Sequence, residues 1–195
     1  MVRRLYLVVL LGALISEGCV STPIVTFGKS ENFSKQRVVA VLPFSDAKGD
    51  PGANVFVGWA TEPNNGEAVA SFLAESLVGC SAYRVIERSK LKAVLQEHNL
   101  STVEIIERKG FKEVGRLLGA DLVVVGNVNR YCQVGGLWFF ADVSFSARCV
   151  DIATGEILWS ASPSVQAFGS VPEYTKKMCS DIAECIRRQE ENLKK

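Results

Sequence analysis

Two short stretches of the chain are almost wholly apolar: Val38-Val39-Ala40-Val41-Leu42 and Leu122-Val123-Val124-Val125. Each is too short for a lone helix and rich in β-branched side chains. Such runs predict strands buried on both faces, as in a parallel sheet covered by helices. The first strand is read as Arg37–Phe44, with Pro43 at its end where no ladder donor is needed. The second is read as Leu122–Val128. Over Gly66–Cys80 the period changes. Val69, Phe72, Leu73, Ser76, Leu77 and Cys80 follow helical spacing, and the face is apolar apart from Ser76. Tyr83–Glu87 predicts a short strand. Lys90–His98 predicts a helix capped by Ser89, with Leu91, Val94 and Leu95 inward. Phe111–Leu118 is a further helix, and Gly119 sits where a left-handed C-terminal cap belongs.

Gly135-Gly136 reads as a hairpin turn. Beyond it the positions alternate. Phe139, Ala141, Val143, Phe145, Ala147 and Cys149 face one way; Asp142, Ser144, Ser146 and Arg148 face the other. This predicts an antiparallel strand with one wet face. Asp151–Gly155 turns the chain into a last strand, Glu156–Ser162. Ser170-Val171-Pro172-Glu173 has the form of a capping box. It opens a helix reaching Gln189, with Tyr174, Met178, Ile182 and Cys185 on one side. Residues 190–195 are expected to fray. The fold class is α/β: a mixed-sheet sandwich with parallel core strands, an antiparallel hairpin and a C-terminal helix.

The first residues have a different character. Arg3 and Arg4 precede the apolar run Leu5–Ile15, then Ser16-Glu17-Gly18-Cys19 follows. The run fits a signal-peptide core and falls short of the roughly 20 residues of a membrane-spanning helix. Gly18-Cys19 resembles the lipobox of bacterial lipoproteins, in which the cysteine takes the lipid and becomes the first mature residue. Ser16 and Glu17 depart from that pattern, and ordinary cleavage near the same place is the alternative. The expected division is a signal peptide over 1–18, a lipid anchor at Cys19 with a tether to residue 36, and one domain over 37–189. Val20 after the cysteine suggests, by the same resemblance, sorting to the outer membrane. Removing residues 1–18 takes two of 22 basic and one of 21 acidic residues, leaving no net charge. Charge would then not hold the protein to an anionic membrane, and acyl chains would have to.

Composition narrows the function classes. With 48% hydrophobic and 22% charged residues the chain is ordinary globular material. A net charge of +1, with no basic block beyond the first residues, argues against nucleic-acid binding. No G-x-S-x-G, phosphate-binding glycine loop or H-E-x-x-H occurs. The single histidine, His98, ends a helix among polar neighbours, which suits the helix dipole better than a nucleophile–base pair. No cofactor, metal site or catalytic residue is expected. Past Cys19 there remain Cys80, Cys132, Cys149, Cys179 and Cys185. The last two point about 120° apart on one helix and cannot bridge each other. If Gly135-Gly136 is the turn, Cys132 lies opposite Phe139. Most of these thiols read as small buried hydrophobes.

Four segments together resemble one family. They are Val39-Ala40-Val41-Leu42-Pro43-Phe44, Arg84-Val85-Ile86-Glu87-Arg88-Ser89-Lys90-Leu91, Leu117 through Gly126, and Val150 through Ser160. In this order they are similar to the curli production assembly/transport component (CsgG) family. The resemblance implies a periplasmic domain beneath the outer membrane, acting by binding and not as an enzyme. Within it the chain would be an assembly or secretion accessory with a protein partner. The alternatives are an Lpo-like activator of a peptidoglycan synthase and a homo-oligomeric subunit of a ring-forming channel. Asn127–Gln166 leaves no spare hairpins for a barrel made by this chain alone.

Two surfaces are candidates for docking. The turn-rich loop Ser45–Asn65 carries Val55, Phe56, Val57 and Trp59, which either meet a partner or fold back on the domain. Strand parity puts Trp138 and Phe140 on the wet face, with Tyr131 across from Phe140. That aromatic group is either a docking patch for a partner or membrane interface, or is covered by a helix, the C-terminal one being a candidate.

Overall fold

A computed structural model describes residues 25–28, 36–46, 59–61, 64–97, 111–134 and 140–194. The strands among them are β1 (Val25–Phe27), β2 (Arg37–Val41), β3 (Trp59–Thr61), β4 (Tyr83–Val85), β5 (Leu122–Val134), β6 (Phe140–Asp151), β7 (Ile157–Ala161) and β8 (Ser164–Phe168). The helices are α1 (Asn65–Leu77), α2 (Arg88–Glu97), α3 (Phe111–Leu118) and α4 (Val171–Leu193).

All eight strands join one mixed sheet in the order β1-β7-β6-β5-β2-β4, with β3 added to β5 and β8 to β6. The two apolar runs explain its centre. β2 pairs in parallel with β4 on one side and β5 on the other. The crossover through α1 leads one way from β2, and the crossover through α2 and α3 leads back past it. Right-handed connections in opposite directions place helices on opposite faces. Two cores result. Val39, Val41, Leu122 and Val124 lie with α1 and α4; Ala40, Leu42, Val123 and Val125 lie with α2 and α3. Alternate residues of one strand thus serve both cores, which is why the run has no polar gap.

The family-like segments turn out to be stitching. Gly119 has φ +65°, and Ala120 N–H bonds Gly115 O at 2.9 Å. The next residue, Asp121, accepts from Val38 N–H at 2.9 Å. Gly126 lies so close to β6 and Phe44 that a Cβ there would meet Ser146 O at 2.3 Å. Asp151 Oδ1 accepts from the N–H groups of Ala153 and Thr154, forming the turn, while its other oxygen pairs with Arg37. Trp159, fully buried, donates to Tyr83 OH at 2.9 Å.

Several expectations are corrected. Val25–Phe27, placed in the tether, is a strand antiparallel to β7. Trp59–Thr61, placed in a loop, is a strand on β5. β5 continues to Val134, six residues past its expected end. In α1 the buried stripe is Val69, Ala70, Leu73, Ala74 and Leu77; Phe72 is half-buried beneath Lys176. Ser89 does not cap α2. Glu87 precedes the helix, and its carboxylate accepts from Ser89 N–H and Oγ–H. Nor does the capping box form: Ser170 makes no side-chain cap. Instead Gln133, from β5, accepts from Val171 N–H at 3.0 Å and donates to Gly169 O at 3.0 Å. A distant strand thus starts α4. That helix also outlasts Gln189. Glu190 is 5% exposed and accepts from Ser81 Oγ–H and Ala82 N–H. His98, Gly135 and Gly136 lie outside the described residues.

Glu190→Ala strands a buried N–H and a hydroxyl. It should therefore cost about 2 kcal/mol, read as a lower melting temperature; a frayed tail would leave it unchanged. For Asp151, burial pushes the carboxyl pKa up, but bonds from Arg37, Thr154 and Ala153 outweigh it and hold the pKa below its usual value. A depressed folded-state pKa stabilises above the unfolded value and is lost as pH falls toward the folded one. Melting temperature should therefore drop as pH descends below about 4. Asp151→Asn should be less stable at neutral pH and flatter over that acid limb.

Candidate docking site

β5 and β6 form a hairpin that outruns the helices of the second core. Between Val128 and Arg130 the pairing register shifts, leaving Asn129 as an extra residue. Such a bulge bends and twists the strands locally. Past it the sheet alternates. Tyr131 opposes Val143 and Gln133 opposes Ala141 on the α4 side; Arg130 opposes Ser144 and Cys132 opposes Asp142 on the other. Tyr131 is 2% exposed within the main core. It therefore does not face Phe140, and Cys132 does not face Phe139. The observed register differs from the two-residue-turn reading by three. An odd shift exchanges the faces.

Phe140 does stand on the side away from α4. It is half-buried, and its ring meets Phe168 edge-on at a centroid distance of 5.1 Å. Phe168 is 55% exposed. The edge-to-face geometry suits the ring quadrupoles. The registers extend this pair. Trp59 opposes Val134, Val134 opposes Phe140, and Phe140 opposes Phe168. Four adjacent strands, β3-β5-β6-β8, thus place one apolar residue each at the same level, at the outer end of the hairpin. The registers set Trp59 and Phe140 at one level of the sheet, with Phe168 opposite Phe140, while Tyr131 lies in the main core. Trp138 lies outside the described residues. Phe168 escaped the sequence reading because the last strand was ended at Ser162; the alternation of Val165 and Ala167 with Gln166 and Phe168 was the available signal.

Inward from the row the same face is polar. Asp142 is 5% exposed and so is not wet, contrary to the alternation. Arg130 Nε lies 3.1 Å from Asp142 Oδ1, and Gln166 Nε2 donates to Oδ2 at 3.0 Å. Arg130 also donates to the hydroxyls of Ser144 and Ser164. Further on, Ser146, Arg148, Ser160 and Ser162 line a shallow depression of about 170 Å³. Arg148 at its rim is exposed.

The thiols are suited to packing more than to chemistry. Cys80, Cys149 and Cys179 are buried and Cys132 and Cys185 half-buried, and none of the five is in a disulfide. Burial pushes the Cys80 thiol up to about 11 and the other two buried thiols higher, so the nucleophilic thiolate is scarce at neutral pH. Among the described residues no group of His, Cys, Asp or Glu could hold a metal. None of their helices is long and apolar enough to cross a membrane.

With this frame in place, the model of the curli production assembly/transport component CsgG family matches residues 24–133. The chain belongs to the CsgG family. No curated protein matches it by sequence. Among solved structures, lipoprotein GNA1162 from Neisseria meningitidis superposes with a TM-score of 0.58 at 19% identity, covering 78% of this chain and 99% of that one. The PelC dodecamer from Paraburkholderia phytofirmans gives 0.52 at 15% identity, covering 85% and 96%. At these identities the likeness is one of fold. The CsgG-family match spans β1 through most of β5, so it covers the parallel core with α1, α2 and α3 and stops before β6 and α4.

Because Phe168 is exposed and Tyr131 is not, the two should separate in thermal melts. Phe168→Ser, which loses the edge-to-face pair with Phe140, should cost about 1 kcal/mol. Tyr131→Ala should cost about 3 kcal/mol.

Proposed function

We propose that this protein is a lipid-anchored accessory on the periplasmic side of the outer membrane. It assists assembly or secretion of a surface component by binding a protein partner, without enzymatic chemistry of its own. The observation that carries this reading is the CsgG-family match, whose description names assembly and transport. The domain supports it in kind: the segments that resemble the family hold strands and turns together, and the described thiols sit in packing positions. Residues 1–18 act as signal peptide and Cys19 carries the acyl chains. The lipobox-like Gly18-Cys19 supports this, as does the fold shared with a protein described as a lipoprotein. The row holding Trp59 and Phe140, with Trp138 nearby in sequence, is the docking surface.

A second reading, a ring-forming subunit, is favoured by one observation. A protein of the same fold, aligned over 96% of its length, is described as a dodecamer.

The test is intact mass and membrane fractionation of wild type and Cys19→Ala, followed by capture of bound proteins from the membrane fraction. A diacyl or triacyl increment on Cys19, outer-membrane recovery and loss of both in Cys19→Ala are expected, with a component of a secretion or assembly machine captured. A soluble, unmodified product defeats the anchor. Capture of a peptidoglycan synthase instead makes the protein an Lpo-like activator. A closed ring in detergent makes it a channel or collar subunit.

A further inference from the structure

We infer that the depression beside Arg148, on the sheet face away from α4, receives a carboxylate supplied by an acidic side chain of the protein partner. The inference rests on the proposed partner-binding reading and adds to it a site and a chemistry.

The argument begins with what the helices leave open. The core beneath α2 and α3 takes Val125 from β5 and Val150 from β6, but no residue of β7 or β1. Arg148 opposes Val125 on one side and Ser160 on the other, and Ser146 opposes Asn127. Directly opposed residues share a face of the sheet. Val125 therefore marks the edge of the helical cover. Beyond it the face carries Asn127, Ser146, Arg148, Ser160 and Ser162 around about 170 Å³ of open space. Asn127, Arg148 and Ser162 are exposed. By the alternation of β6 this is also the face that carries Phe140.

Charge selects the occupant. Arg37, Arg88, Arg130, Arg187 and Arg188 each pair with a carboxylate of this chain. Among the described residues Arg84, Arg116 and Arg148 make no ion pair. Of these three, Arg148 stands at a depression lined by hydroxyls and an amide. Further along the same face, Asp142 is already held by Arg130 and Gln166, so it offers Arg148 no partner. A guanidinium only donates, and its planar fork matches the two oxygens of a carboxylate. The serine hydroxyls and the Asn127 amide can donate to the lone pairs the fork leaves over. One guanidinium balances one carboxylate, whereas a phosphate ester brings a charge of about −1.5 to −2. A whole small-molecule ligand needs a pocket of roughly 300 Å³ or more. The space here suits the tip of a larger molecule, as an acidic side chain is.

The test is an NMR titration of the full chain in detergent, reading the Nε–H signals of its arginines. The probe is a capped peptide in which glutamate alternates with serine, and the same peptide with glutamine is the reference. A saturable shift of the Arg148 signal is expected, at several-fold lower concentration of the glutamate peptide than of the glutamine one, with Arg84 and Arg116 unmoved. Arg148→Gln should abolish the binding without lowering the melting temperature, since Arg148 has no ion pair to lose. Arg148→Lys keeps the charge without the fork and should bind several-fold more weakly than wild type. Parallel, non-saturating shifts of all three arginines overturn the inference. Tighter binding of inorganic phosphate than of the glutamate peptide overturns the carboxylate assignment. Saturable binding of galacturonate without a response to the glutamate peptide overturns the protein partner as its source. The titration needs neither the native partner nor the acyl chains, so its failure is distinct from failure of the capture experiment.

Discussion

β5 is the element that must be satisfied on every side. Its first residues pair with β2 and β6 at once, and their side chains enter two separate cores. No single helical layer could bury them. The chain therefore needs α1 and α4 on one face and α2 with α3 on the other. The close approaches follow from the same demand. Gly126 has no room for a Cβ because Phe44 and β6 both press on it. Asp151 pins the end of β6 to Arg37 of β2 across β5.

The strand is also longer than its cover. β5 is thirteen residues long, and the core beneath α2 and α3 takes Val123 and Val125 from it but no later residue. Past the irregularity at Asn129 the α4 side stays apolar while the other side carries Arg130, Asp142 and Ser144, and the sequence changes there from continuous apolar to alternating. This transition creates the domain's exposed end. One strand thus supplies both the part of the fold that cannot vary in character and the part free to face something else.

The same transition explains what could be read from residues alone. Arg37–Val41, Leu122–Val125 and the helix Phe111–Leu118 were legible because local pattern and burial agree there. β1 and β3 were not. Each is three residues held by a neighbour strand, and Val25-Thr26-Phe27 carries no period longer than itself. The face of Tyr131 was misread because parity depends on loop length and on the bulge, neither of which the alternation encodes. The start of α4 was assigned to Ser170 when Gln133, 38 residues before Val171, supplies the acceptor. Local grammar predicted that a cap was needed, but tertiary contact chose the residue.

The recognised motifs and the candidate site therefore occupy different parts of the molecule. Gly119, Asp121, Gly126, Asp151 and Trp159 serve turns, ladder ends and a buried indole, so these segments mark a frame and not an activity. The positions the frame leaves exposed, Phe168 and Arg148 among them, are not what closes the cores, so they are where members of one frame can differ in what they meet.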